Sequence, residues 1–133
     1  MWEKAARGTE GQIFPWFGEW DGDHLNANET RIGQTSAVGL FPSGTSPFGV
    51  FDMAGNVYEW CSGIDTERAT YPFKPRSYDH DLLLDSAHHS MRGGAFHSRA
   101  KFCRTPYRRS YHPDDRRTNL GFRVAEYPLT RKP

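Results

Sequence analysis

Phe48-Gly49-Val50-Phe51-Asp52-Met53-Ala54-Gly55-Asn56-Val57-Tyr58-Glu59-Trp60 is the stretch from which the fold of this chain is read. Two acids, Asp52 and Glu59, flank the short run Ala54-Gly55-Asn56, and seven large apolar residues surround them. Gly and Asn enter the left-handed region at least cost, so the spacing predicts a sharp turn at Gly55-Asn56. Two readings of the acids stand side by side. In one, the turn joins two buried segments, Asp52 caps it and Glu59 enters a salt bridge. In the other, aligned carbonyls and two carboxylates form an all-oxygen nest for a hard cation such as calcium.

The rest of the chain suits a frame of large rings. Its 133 residues are enough for one domain, 1–133, with a core of its own. Only 36% of them are apolar, yet there are four Trp, six Tyr and nine Phe, with thirteen Gly and nine Pro. That mixture predicts a loop-rich fold held by aromatic side chains rather than by long aliphatic helices. No run is long and apolar enough for a membrane span, and the first residues lack the apolar core of a signal peptide. Two cysteines, Cys61 and Cys103, make no disulfide framework, so a cytoplasmic, reduced protein is expected.

Charge is divided along the chain. Residues 1–88 carry six Lys/Arg against thirteen Asp/Glu, and residues 89–133 carry eleven against three. Two opposed halves are expected to attract each other within one fold, so that acids of the first half partner the arginines of the second. No nucleic-acid reader motif accompanies the arginines, and nucleic-acid binding is not expected.

Trp2 to Arg7 reads as a short helix with an apolar side at Trp2, Ala5 and Ala6, stopped at Gly8. Ile13-Phe14-Pro15-Trp16 is expected as a short strand, followed by loop. Ser62 to Ser90 has no periodicity and reads as a long loop. His80, His88, His89 and His97 in or after it are expected on a solvated surface, since no metal-binding histidine spacing stands out. Met91–Ala95, Phe102–Tyr107 and Gly121–Tyr127 are expected as strand-like pieces.

Four blocks, in order, resemble the formylglycine-generating-enzyme / sulfatase-modifying-factor family. Phe48 to Trp60 is similar to that family's "PFGLYDMAGNVWEW" signature. Trp2-Glu3-Lys4-Ala5-Ala6-Arg7-Gly8, Arg92-Gly93-Gly94-Ala95-Phe96 and Arg116 to Arg123, ending Asn119-Leu120-Gly121-Phe122-Arg123, are similar to three further family blocks. The resemblance covers nearly all of this chain but only the later half of the family's domain, so the chain is expected to be N-terminally truncated relative to it. It implies an α+β, irregular, C-type-lectin-like fold with short antiparallel strands and little helix.

The resemblance also implies sites. A structural calcium ion would be held by Asp52 and Glu59 with the carbonyls of Gly55 and Val57. Asn26-Ala27-Asn28 resembles part of the family's first calcium site, but the acid that completes it is missing between Arg31 and Val38, and no metal is expected there. Catalytic members oxidise a sulfatase cysteine with oxygen and Cu(I), using two cysteines just after the Gly-Gly. Soft Cu(I) takes paired thiolates. Here Ser98 stands at the first position and Cys103 at the second, so copper is not expected and catalysis is not expected. An alternative placement of the gap makes Cys103 a strand residue beside Arg104.

A noncatalytic recognition domain is the leading expectation, binding a protein or small ligand through the 95–118 surface with Phe96, His97, Ser98, Tyr107, Tyr111 and His112. Tyr and His supply contact area and hydrogen bonds at low entropy cost. Two alternatives accompany it. One is part of a formylglycine-generating or sulfoxide-synthase-type oxidoreductase acting on a thiol. The other is a variable protein of a diversity-generating retroelement. Because the family covers Trp2, Ile13, Phe14, Trp16 and the Phe48–Trp60 block partly with segments absent here, self-association or pairing with a complementary chain is also expected.

Overall fold

A computed structural model describes residues 1–64 and 88–126. The chain opens with one helix, α1 (Trp2–Arg7), and Gly8 closes it with φ 68°, its N–H bonding back to the Lys4 carbonyl. Ala6 is the helical residue that is fully buried. The long connection that follows is built of turns and of single 3-10 turns at Gly22–His24, Asn28–Thr30 and Pro42–Gly44. Ile13–Trp16 does not form the expected strand, because its side chains serve a ring cluster instead of a pleat. Phe14 stacks on Trp16 at 5.1 Å between centroids, and Trp20 meets Phe14 edge-on at 5.4 Å.

Four strands form a mixed sheet: β1 (Tyr58–Ile64), β2 (His89–Arg92), β3 (Arg109–Tyr111) and β4 (Leu120–Gly121). Their order is β3-β2-β1-β4, antiparallel except for the parallel β1–β4 pair. Glu59 lies opposite Arg92 on β2 and opposite Gly121 on β4. Phe102–Tyr107 is not a strand. A 3-10 turn at Ala100–Phe102 and tight turns occupy it, and the strand comes later, at Arg109–Tyr111. The expected Ser62–Ser90 loop lies mostly outside the described residues, as do His80 and the end of the Gly121–Tyr127 piece. Of that loop's described residues, 62–64 belong to β1 and 89–90 to β2.

Two buried clusters share the interior. Phe14, Trp16, Leu25, Ala27, Ala54 and Cys103 make one, and Tyr58, Met91 and Ala95 make the other, with Trp60, Tyr107, Tyr111 and Leu120 packed against it. His89 is a correction to the surface reading of the histidines. It points inward from β2, is 9% exposed, and meets the Trp60 ring edge-on at 6.4 Å. His88 and His97 are exposed as expected. No helix among the described residues is long and apolar enough to cross a membrane.

Candidate functional site

The turn between Asp52 and Tyr58 is the hub through which the loops are held. Asp52, Gly55 and Asn56 all have positive φ, at 56°, 77° and 60°. For Asp and Asn this is tolerable, whereas at Gly55 it is compulsory, because an added Cβ would drive into the backbone carbonyl of Asn26. From this turn the Gly55 N–H donates to the Gly93 carbonyl, the Asn56 N–H to the Asn26 carbonyl and the Tyr58 N–H to the Asn119 carbonyl, each at 2.8 Å. The Asn56 carbonyl accepts from the Phe96 N–H at 2.9 Å, and its side-chain oxygen accepts from the Ser36 N–H at 3.0 Å. Four other segments, at Asn26, Ser36, Gly93–Phe96 and Asn119, therefore meet at this turn.

Glu59 follows on β1 and is 5% exposed. Its carboxylate accepts from the Trp2 indole N–H and from Arg123 Nε, both at 2.6 Å, and from the Arg123 terminal nitrogen. Arg123 also donates to the carbonyls of Phe51 and Asp52 at 3.0 and 3.1 Å. A guanidinium thus neutralises the buried acid and ties the chain's first and last blocks to the turn. Asp52 Oδ2 accepts from the Gly39 N–H at 2.8 Å. The donor set Asp52, Gly55 O, Val57 O and Glu59 is all oxygen and suits calcium in type. Calcium there would have to share Glu59 with Arg123.

The second place of interest lies after the Gly-Gly step. Ser98 is 5% exposed. Its hydroxyl accepts from the Ala95 N–H at 3.0 Å and lies 3.3 Å from the Tyr58 hydroxyl. Burial pushes the Tyr58 phenol above its usual range, against the opposing hydrogen bond from Ser98. Cys103 is fully buried in the other cluster, and burial pushes its thiol up to about 12. Gly94 (φ 77°) makes room for it, since a Cβ there would stand 2.6 Å from the Cys103 sulfur. Cys103 follows the 3-10 turn and is not a strand residue. The Ser98 hydroxyl bonds the Tyr58 hydroxyl of one cluster, whereas the Cys103 sulfur packs in the other, 4.0 Å from the Ser98 carbonyl and 3.8 Å from that of Arg99. Cys61, half-buried on β1, also has its thiol raised by burial.

The expected recognition residues divide into outer and inner ones. His97 is exposed and shares a 3.1 Å hydrogen bond with Asn119. Phe96, Tyr107, Tyr111 and His112 are half-buried. Phe96 leans on His97 at 5.1 Å, and Tyr107 leans on Phe102 at 5.1 Å. Arg117 and Arg109 lie over the Tyr111 ring at 4.1 and 5.3 Å. Ser98 lies deeper than these, its hydroxyl bonded to the Ala95 N–H and the Tyr58 hydroxyl.

The residues that sequence reasoning passed over are the cations around these rings. Arg99, Lys101, Arg104, Arg108, Arg109, Arg116 and Arg117 are all exposed. The expected pairing of the two charged halves is realised at Arg92 with Glu3, at 3.0 Å, and at Arg123 with Glu59. Elsewhere the cations bond locally, as Arg104 does with the Lys101 carbonyl and Arg116 with the Pro113 carbonyl, both at 2.9 Å. The signal that could have found them was the charge count itself.

A family model described as "Sulfatase-modifying factor enzyme 1-like domain" matches residues 1–128. The formylglycine-generating enzyme of Streptomyces coelicolor is 31% identical over 139 residues, across 93% of this chain and 44% of that protein. Among solved structures, Treponema denticola variable protein 1 superposes with a TM-score of 0.70 at 27% identity, covering 91% of this chain and 43% of its own. PvdO from Pseudomonas aeruginosa gives 0.66 at 26%, covering 91% and 48%. The chain therefore spans less than half the length of each of these three proteins. Its scarce helix and curled mixed sheet are those of the C-type-lectin-like fold.

Proposed function

We propose, from the premise that this chain belongs to the sulfatase-modifying factor enzyme 1-like family, that it is a noncatalytic recognition domain using the exposed 95–118 surface. One observation carries the reading. Where the resembled enzymes place two cysteines, the chain has a serine whose hydroxyl bonds Tyr58 and one fully buried cysteine. Paired thiolates are what soft Cu(I) takes, and one of the two is absent here. The likeness to a variable protein supports recognition as the use of the same loops.

The reading is tested in two arms. Purified chain is mixed with Cu(I) and a cysteine-containing peptide in air-saturated buffer, and no peptide oxidation is expected. A photo-crosslinking residue is then placed at His97 or Arg108, with Lys4 on α1 as the control. Specific adducts at the first two positions and none at the third are expected in the producing cell. Peptide turnover, or adducts spread evenly over the three positions, would overturn the proposal. A reverse-transcriptase gene and a template repeat beside the coding sequence would mark the chain as a variable protein of a retroelement.

A structural calcium ion at Asp52, Gly55, Val57 and Glu59 is part of the proposal, with Glu59 shared between the ion and Arg123. Hard oxygen donors at a turn with fixed backbone geometry support it. Such an ion would brace the hub from which the recognition loops depart. Pairing of the chain with a second copy or a complementary chain is supported by exposed Leu40, Phe48, Phe51 and Phe122.

A further inference from the structure

The exposed cations of residues 99–117 are the largest feature left unused by the frame. Seven cationic side chains occupy this segment, and the acids against them are Asp114 and Asp115 within it and Glu29 opposite Ala100. Each of these acids is already engaged: Glu29 by the Ala100 N–H at 3.0 Å, Asp114 by His112 at 3.5 Å and Asp115 by Arg117 at 3.4 Å. Among the described residues, Arg99, Lys101, Arg104, Arg108, Arg109 and Arg116 have no carboxylate within ion-pair distance. A surface with this excess of cations, left outward by a fold that pairs Arg92 and Arg123, is a steering field for an anionic partner.

We propose that this strip takes an extended Asp/Glu-rich segment of a protein partner. The inference rests on the recognition reading above and names its ligand class. Two features favour carboxylates over a nucleic acid. Single strands bind by laying bases on free ring faces, but Tyr111 is covered by Arg109 and Arg117, Phe102 by Lys101 and Tyr107, and Phe96 by His97. Duplexes are read by a helix or a two-stranded ribbon entering a groove, whereas these cations stand on a 3-10 turn, tight turns and a three-residue strand. What remains is a set of guanidinium forks, whose planar donor pairs match carboxylates two bonds at a time.

The probe is a fluorescent twelve-residue peptide of alternating Asp and Glu, titrated with the full chain and read by anisotropy. Binding at 50 mM NaCl is expected, weakening about tenfold or more by 300 mM as screening sets in. The combined variant Arg99→Gln/Lys101→Gln/Arg104→Gln is expected to bind roughly tenfold more weakly with an unchanged melting midpoint, and Lys4→Gln to bind as the parent does. Should the triple variant unfold, Arg108→Gln/Arg116→Gln serves the same purpose. Three results overturn the inference: no peptide binding at 50 mM, binding indifferent to both variants, or tighter binding of a charge-matched single-stranded or duplex oligonucleotide. If crosslinks at His97 and Arg108 persist while the peptide fails, only the acidic ligand class falls. If both fail, the recognition reading falls with it.

Discussion

Replacing Arg123 by Met is the most searching perturbation of this fold. Glu59 is 5% exposed, and Arg123 supplies its countercharge through both nitrogens that face it. The same side chain holds the carbonyls of Phe51 and Asp52, so one substitution loosens the hub turn and strands a buried carboxylate. Breaking a buried pair from one side costs about 3–5 kcal/mol. The Arg123 side chain is 31% exposed, so water screens part of that cost and about 3 kcal/mol is the expected loss. For a chain of this length that is roughly a 10 °C fall in midpoint. Urea unfolding gives the free energy, and an unchanged slope shows that the comparison is fair. Glu59→Gln added to Arg123→Met should restore about 2 kcal/mol, because the orphaned charge is gone. A loss below about 1 kcal/mol for the single variant would make the pair an ordinary surface contact. A double variant as weak as the sum of the singles would refute the charge argument outright.

Three further outcomes test the same geometry. Gly55→Ala should cost more than about 3 kcal/mol or abolish folding, since it adds a clash with the Asn26 carbonyl to a positive φ; near-parental stability in urea would show that the turn is soft. Cys103 should resist a thiol reagent in the folded chain at pH 8. Its raised thiol favours the neutral form on folding, so stability is full below the ordinary value of 9.0 and falls as pH climbs from there towards about 12; Cys103→Ala should flatten that part of the profile measured by urea midpoints, and an unchanged slope would count against the burial. Excess calcium over chelator should raise the melting midpoint by mass action, more in Arg123→Met than in the parent, with Asp52→Ala indifferent; identical midpoints throughout would remove the ion from the proposal.

The legible parts of the sequence were those where backbone geometry leaves one choice. Gly55-Asn56 had to turn left-handed, Gly8 had to end α1, and Glu59 had to find a cation, which one of the two open readings named as a salt bridge. The strand at Ile13–Trp16 was misread because alternating rings look alike whether they pleat a strand or stack on one another, and only the partner Trp20 decides. Phe102–Tyr107 was misread for a related reason. Its rings and cations look like a strand with one wet face, yet Gly94 leaves room under it for the Cys103 sulfur, and the chain curls into a turn to reach it. His89 was unreadable, because its burial depends on Trp60 across the strand pair. Of the candidate site, the positions were legible and their depth was not. Ser98 and Cys103 could be placed after the Gly-Gly step, but not the fact that one joins Tyr58 and the other the Phe14–Trp16 cluster.

That division of Ser98 from Cys103 says why the loops here can be a surface while the frame stays fixed. The hub holds Asn26, Ser36, Gly93, Phe96 and Asn119 by backbone atoms and one asparagine side chain, so the identity of the outward side chains between 99 and 117 does not enter those bonds. Within that segment the contacts to the frame include Ala100 N–H to Glu29, Thr105 to the Gln12 and Ile13 carbonyls, Arg92 to the Thr105 and Pro106 carbonyls, the buried Cys103, and the pairing of β3 with β2. Arg99, Lys101, Arg104, Arg108, Arg116 and Arg117 lie off these anchors, and Arg109 sits on β3 opposite Met91 with its side chain exposed. Restoring a second thiol tests the separation. Ser98→Cys should fold, because the side chain is close in size, but should lose the hydroxyl bonds to Ala95 N–H and Tyr58 and about 1–2 kcal/mol of stability. It should still fail to oxidise a cysteine peptide with Cu(I) in air, since Cys103 is buried in the other cluster. Copper-dependent turnover by Ser98→Cys would mean that the two side chains can be brought to face each other, and the partition of the interior described here would be wrong.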